Sequence, residues 1–161
     1  MAGLIRIIIH WTAGGPKASI EDKSHYHFLY EQSGRVIRGD QPPEENIRTN
    51  DHIYAPHTLS LNTGSIGVSF CAMALAQPFP LFVGSYPLTD PQLEAGLVHI
   101  GQLCRRYSIP VTRRTVLTHA EVQPTLGIKQ KGKWDIRWLP GMTAIGDAVE
   151  IGDQLRARIR P

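Results

Sequence analysis

Histidine ligates metals through either ring nitrogen and titrates near neutral pH, so the seven histidines of this chain are the first place to look for chemistry. Two of them close short β-branched runs: His10 follows Leu4-Ile5-Arg6-Ile7-Ile8-Ile9, and His119 follows Thr115-Val116-Leu117-Thr118. A histidine at the end of a buried strand is held by a rigid scaffold while its ring reaches a surface groove. Taken singly, each reads more simply as a structural or surface histidine. The pair at matching strand ends points to a metal site.

A catalytic zinc takes three protein ligands and leaves a fourth position for water. Asp135, in Lys131-Gly132-Lys133-Trp134-Asp135, is the candidate third ligand. It lies 16 residues beyond His119, in the loop that leaves that run, close enough to fold back on the same metal. An Asp after a Trp in a loop serves equally as a helix approach or a solvated residue, and spacing leaves both open. Glu121 is the next candidate should Asp135 not serve.

The elements that must position these residues follow from pattern. Leu4 to His10 predicts a buried central strand that stops at the turn formers Thr12-Ala13-Gly14-Gly15-Pro16. Tyr26 to Glu31 and Arg35 to Arg38 alternate around Ser33-Gly34 as a β-hairpin. Residues 39–64 are polar and rich in Pro and Asn, without a period, and predict a long surface loop. Ser65 to Ala72 reads as a strand. Thr89-Asp90-Pro91 opens an amphipathic helix carrying Leu93, Leu97, Ile100, Cys104 and Tyr107, which stops before Pro110. Ala120 to Pro140 reads as a polar connection, followed by a last helix from about Thr143 that Gly146 and Gly152 weaken. Arg156, Arg158 and Arg160 close that helix, where cations suit its dipole. Interleaved strands and helices predict an α/β architecture with a mixed central β-sheet flanked by helices.

At 161 residues, 42% hydrophobic and 19% charged, the chain fits one globular domain, residues 1–161. Cys71 and Cys104 are too few for a disulfide framework and read as two buried thiols of a reducing compartment. The N-terminus lacks the charged and apolar regions of a signal peptide, and no run is long enough to span a membrane, so a cytoplasmic, soluble protein is expected. A net charge of +3 is mild. Without an interleaved basic and aromatic stripe, it gives no reason to expect nucleic acid as a partner.

Five segments, in order, resemble the type-2 N-acetylmuramoyl-L-alanine amidases, the group of amidase-type phage lysozymes, anhydro-muramyl amidases and peptidoglycan recognition proteins. They are Ile7-Ile8-Ile9-His10-Trp11-Thr12-Ala13, Tyr26-His27-Phe28-Leu29 with Gly34, Ser65-Ile66-Gly67-Val68, Leu117-Thr118-His119-Ala120-Glu121-Val122, and Lys133-Trp134-Asp135. The resemblance implies that His10, His119 and Asp135 hold Zn2+, with Lys133 and Tyr26 as the polar catalytic groups beside it. It implies hydrolysis of the amide between N-acetylmuramic acid and L-alanine in peptidoglycan or muropeptides, by a monomer that does not insert into membranes. A phage or prophage endolysin fits, as does a cytoplasmic recycling amidase; a non-catalytic peptidoglycan-binding module of the same fold is the rival. From residue type alone, Lys133 reads as a solvated loop lysine beside Lys129 and Lys131, and Tyr26 as a half-buried strand residue. His57 falls where the family lines its substrate groove and is given a binding role; His25, His27, His52 and His99 are left as surface or packing residues. Two departures stand out: Ser69 occupies a position where some members carry a Glu, and the short span from His10 to Tyr26 leaves little room for the family's usual helix.

Overall fold

Strand β1 (Arg6–Trp11) owes its place to its sequence, because three consecutive isoleucines can be buried on both sides only in the middle of a parallel sheet. The computed structural model, which describes residues 3–161, shows this arrangement. The sheet contains β1, β2 (Phe28–Tyr30), β3 (Val36–Arg38), β4 (Ser65–Phe70) and β5 (Val116–Thr118), in the order β3-β2-β4-β1-β5. The β2–β4, β4–β1 and β1–β5 pairs are parallel, and β3 closes one edge as the antiparallel arm of the expected hairpin. The sheet is therefore mixed. Ile7, Ile8 and Ile9 are at most 1% exposed.

Alternation along the strands divides the interior. Ile7, Ile9, Ile66, Val68, Phe70 and Tyr30 form one core with α2 (Asp90–Tyr107), through Leu93, Leu97 and Ile100, and with α4 (Ala148–Arg158), through Ile151 and Leu155. Ile8 and Leu117 face the other way and pack on Leu61 and on Val122 of α3 (His119–Leu126). His10 shares the parity of Ile8 and lies in register with Ser69, so its ring leaves the sheet on this second face. Helix α2 starts at Thr89, whose hydroxyl accepts from Gln92 N–H, and the buried Gln92 amide donates to the carbonyls of Tyr30 and Cys71. Cys71 and Cys104 are both buried free thiols.

Three expectations need correction. The span from His10 to Tyr26 does hold a helix, α1 (Ile20–His25), shortened to six residues and closed by the reciprocal Ser19 and Asp22 capping pair. The polar stretch after His119 begins with α3. Its internal Pro124 hides the helix from a pattern reading, while Glu121 accepts from Thr118 N–H at 2.8 Å and caps its start. Helix α4 begins at Ala148, because the Asp147 carboxylate accepts from Val149 and Glu150 N–H at 3.0 Å each and so makes the start.

The long connection after β3, which includes a 3₁₀ helix at Pro43–Ile47, is fastened by one buried amide. Asn46 donates to the carbonyls of Ala55 and Asn62, while its Oδ1 accepts from Ala55 N–H and from His27 Nε2. His27 Nδ1 in turn accepts from Gly67 N–H at 2.9 Å. Burial pushes the His27 pKa down to about 4, and a proton on Nδ1 would remove the lone pair that Gly67 uses. The unfolded chain, with an ordinary histidine pKa near about 6.5, then binds the proton more readily than the folded one. The His27 contribution is complete above that value and lost as pH falls towards about 4, amounting to roughly 3 kcal/mol. Urea unfolding at a series of pH values should show this loss, and His27→Gln should reduce the decline across the same window by about that amount.

Candidate metal centre

Asp135 is placed by its neighbours in sequence. Trp134 meets Trp11, at the end of β1, edge to face with centroids 4.7 Å apart, and Ile136 is fully buried in the main core. Ala120 N–H donates to the Asp135 carbonyl at 2.6 Å, pinning the loop to the first turn of α3. The carboxylate is thereby brought to the two histidines expected as its partners. His10 Nδ1 lies 3.1 Å from His119 Nδ1, and Asp135 Oδ2 lies 3.2 Å and 3.3 Å from those two nitrogens. All three side chains are buried.

The triangle suits zinc. Ligand bonds of about 2.0 to 2.1 Å at tetrahedral angles imply ligand-to-ligand edges of about 3.3 Å, the spacing found here. Two nitrogens and one carboxylate oxygen are also a donor set that zinc accepts, with a fourth direction left over. Burial opposes charge on Asp135, but hydrogen bonds from His10 and His119 outweigh it and hold the carboxyl at about 2. Burial pushes His10 down to about 4, which favours the neutral ring that a metal needs.

The remaining candidates gather around this triangle to different degrees. Tyr26 caps the end of α1 and sets its ring 5.2 Å from that of His10; burial, then the Asp135 charge, push its phenol pKa up. Lys133 is exposed, after a turn in which Lys131 and Gly132 take φ of 56° and 73°. Its charge opposes protonation of both histidines, although at His119, where burial also acts against the charged ring, the hydrogen bond and charge of Asp135 prevail and raise the pKa; with Gln130 and Arg137 it lines a cavity of about 330 Å³ at the start of α3. Ser69 is buried, and its hydroxyl has no hydrogen-bond partner among the described residues.

His57, given a binding role from the sequence, is buried. It is 7% exposed, and its ring lies behind His10, with His57 Nδ1 3.4 Å from His10 Nε2. It fills the space above Gly67, where a Cβ would collide with the imidazole, so β4 needs glycine there. Gln130, which pattern reading passed over as one polar residue of a loop, is 3% exposed, and its Oε1 is 2.7 Å from His119 Nε2. Only contact with a histidine on another element reveals it.

Glu121, the fallback ligand, turns away from the triangle. Its carboxylate accepts from Arg156 Nη2 at 2.7 Å and Nη1 at 3.1 Å, and Arg156 also holds Asp153. Gly152 in α4 stands where a Cβ would collide with the Glu121 carboxylate, so the glycine that weakens the helix by propensity is what lets this ion pair form. Arg156, expected to serve the helix dipole, is tied to α3 as well.

Comparison with known proteins agrees with the fold. Residues 5–141 match the family described as N-acetylmuramoyl-L-alanine amidase. The chain belongs to this family. No curated protein matches it in sequence. Among solved structures, it is similar to the Ph2119 endolysin from a Thermus scotoductus bacteriophage, with 18% identity, a TM-score of 0.54, and coverage of 84% of this chain and 83% of that one. The amidase AmiD from E. coli shares 18% identity over 98% of this chain and 58% of its own, at a TM-score of 0.59. Drosophila peptidoglycan recognition protein SD shares 18% over 90% and 86%, at 0.53. These likenesses establish the amidase and recognition-protein fold.

The Arg156 side chain is 8% exposed and that of Glu121 fully buried, so removing one partner strands the other's charge. Arg156→Ala is expected to cost about 3 to 5 kcal/mol in urea unfolding, whereas the exposed Arg158→Ala should cost less than about 1 kcal/mol.

Proposed function

We propose that the chain is a zinc-dependent amidase that hydrolyses the bond between the lactyl group of N-acetylmuramic acid and L-alanine in bacterial peptidoglycan. The observation that carries the proposal is the buried His10–His119–Asp135 triangle, with zinc-sized edges, in a chain of the amidase family. A module that only binds peptidoglycan has no use for three converging ligands. The ligand named with AmiD, anhydro-N-acetylmuramic acid-L-Ala-D-gamma-Glu-L-Lys, contains the linkage in question. A phage or prophage endolysin is the favoured setting, the Ph2119 endolysin being among the similar structures. No helix of the described residues is long and apolar enough to cross a membrane.

In this reading His10, His119 and Asp135 hold the ion, which when bound supplies a Lewis acid and lowers the pKa of water. Lys133 offers a mobile positive charge beside the centre, suited to the oxyanion that develops on the scissile carbonyl. Tyr26, whose ring lies 5.2 Å from that of His10 and whose burial favours the neutral phenol, donates a hydrogen bond to the reacting groups. Ser69 supplies a hydroxyl in place of a carboxylate and cannot act as a general base at neutral pH.

Digestion of purified peptidoglycan should release new L-alanine amino groups without new reducing ends, because a site for acyl transfer leaves glycosidic bonds intact. Reducing sugar as the main product would overturn the proposal. Lys133→Ala and Tyr26→Phe should each keep one zinc and lose roughly a hundredfold in kcat/KM.

Metal analysis separates the ligands from their neighbours. Asp135→Ala should lose zinc to a modest chelator, while Asp135→Cys should retain it, since thiolate is also a good zinc ligand. Glu121→Gln should bind zinc as the parent does. Retention of zinc by Asp135→Ala at parental affinity would exclude Asp135 as a ligand.

A further inference from the structure

Each candidate ligand histidine turns Nδ1 towards the centre, and its Nε2 meets hydrogen-bond partners that are themselves held by other residues. Gln130 Nε2 is 2.9 Å from the carbonyl of Leu59, which can only accept, so this end of the amide is the donor. Its Oε1 therefore faces His119 Nε2 at 2.7 Å as an acceptor, and His119 Nε2 must carry hydrogen. Gln130 N–H donates to Gln123 Oε1 at 3.1 Å, which holds the residue from behind.

The second relay reaches His10. The Ser65 carbonyl, 3.3 Å from His57 Nε2, can only accept, so it takes the His57 proton there and leaves Nδ1 as an acceptor. The Thr58 hydroxyl donates to that Nδ1 at 2.8 Å. His10 Nε2, 3.3 Å from Thr58 Oγ1 and 3.4 Å from His57 Nδ1, faces two acceptors and so carries hydrogen as well. Both relays draw on one short turn: His57, Thr58 and the Leu59 carbonyl are adjacent, and Asn62 Oδ1 accepts from the N–H groups of both His57 and Thr58 at 2.9 Å.

We propose that the His57–Asn62 turn and Gln130 form a positioning device that fixes hydrogen on Nε2 of both His10 and His119, presenting Nδ1 of each to the metal. His57 is thus a positioning residue rather than a substrate contact. The proposal rests on the zinc reading for its purpose; without a metal a further hydrogen lies on Nδ1 in the contacts among His10, His119 and Asp135, which an ion displaces while Nε2 of each ring keeps its own.

Two readouts test it on the full chain. In zinc-free and zinc-loaded wild type, ¹H–¹⁵N spectra should show Nε2 protons on both histidines that exchange slowly with solvent. Gln130→Leu should make the His119 proton fast-exchanging, leave that of His10 slow, and weaken zinc binding about 10- to 100-fold in chelator competition. Gln130→Glu, which keeps an acceptor, should recover most of that loss. This recovery separates positioning from simple damage to folding. Parental zinc affinity and a slow His119 proton in Gln130→Leu would overturn the proposal. A wild type with both slow protons but no zinc uptake would defeat the metal reading and leave the relays standing.

Discussion

The site depends on the Asp135 carboxylate being held in a dry interior between two imidazoles. Burial acts against the charged form of that carboxylate, and only the two histidine contacts reverse the balance. Such a cluster does not hold itself together, because three polar groups taken out of water lose hydration that their mutual contacts only partly replace. The scaffold makes up the difference. Trp134 against Trp11 and Ile136 in the core fix the two residues that flank Asp135, so the chain between two hydrophobic anchors has little choice of path. The polar centre is in this sense a consequence of apolar packing on either side of one residue.

The same division explains what could be read from sequence. Strand β1 and helix α2 announce themselves through apolar periodicity, and His10 and His119 were found because each closes such a run. Helix α3 is hidden in the sequence because Pro124 interrupts it and its few apolar residues give no stripe, although Glu121 caps its start. Helix α1 is six residues long and buries none of them, so there was no pattern to detect. Gln130 and Thr58 were illegible for a further reason: their importance lies wholly in partners 11 and 48 residues away in sequence, and no local spacing encodes a contact of that kind. His57 was singled out by family position, but the depth of its burial is set by the absence of a side chain at Gly67 on another strand.

Polar residues do most of the fastening in the long connection between β3 and β4. Asn46 satisfies three backbone groups and one histidine, and Asn62 holds the next turn, so a segment without regular structure is fixed in place. A buried loop must answer for every backbone donor and acceptor it brings inside, and two asparagines answer for most of those near the site. With both faces of the sheet covered, this loop and α3 enclose the second face as α2 and α4 enclose the first.

The groups around the triangle come from five separate parts of the chain: the end of β1, Tyr26 at the end of α1, the turn at residues 57–62, the start of α3, and the loop through Gln130 and Asp135. His10 and Asp135 are 125 positions apart, so the ligand set closes only after nearly all of the sheet has formed. During synthesis the first histidine waits, unpartnered, until most of the polypeptide has left the ribosome. Completion of the triangle is accordingly a late event in the life of the molecule, and three side chains in contact there mark a chain whose distant stretches of sequence have already found each other.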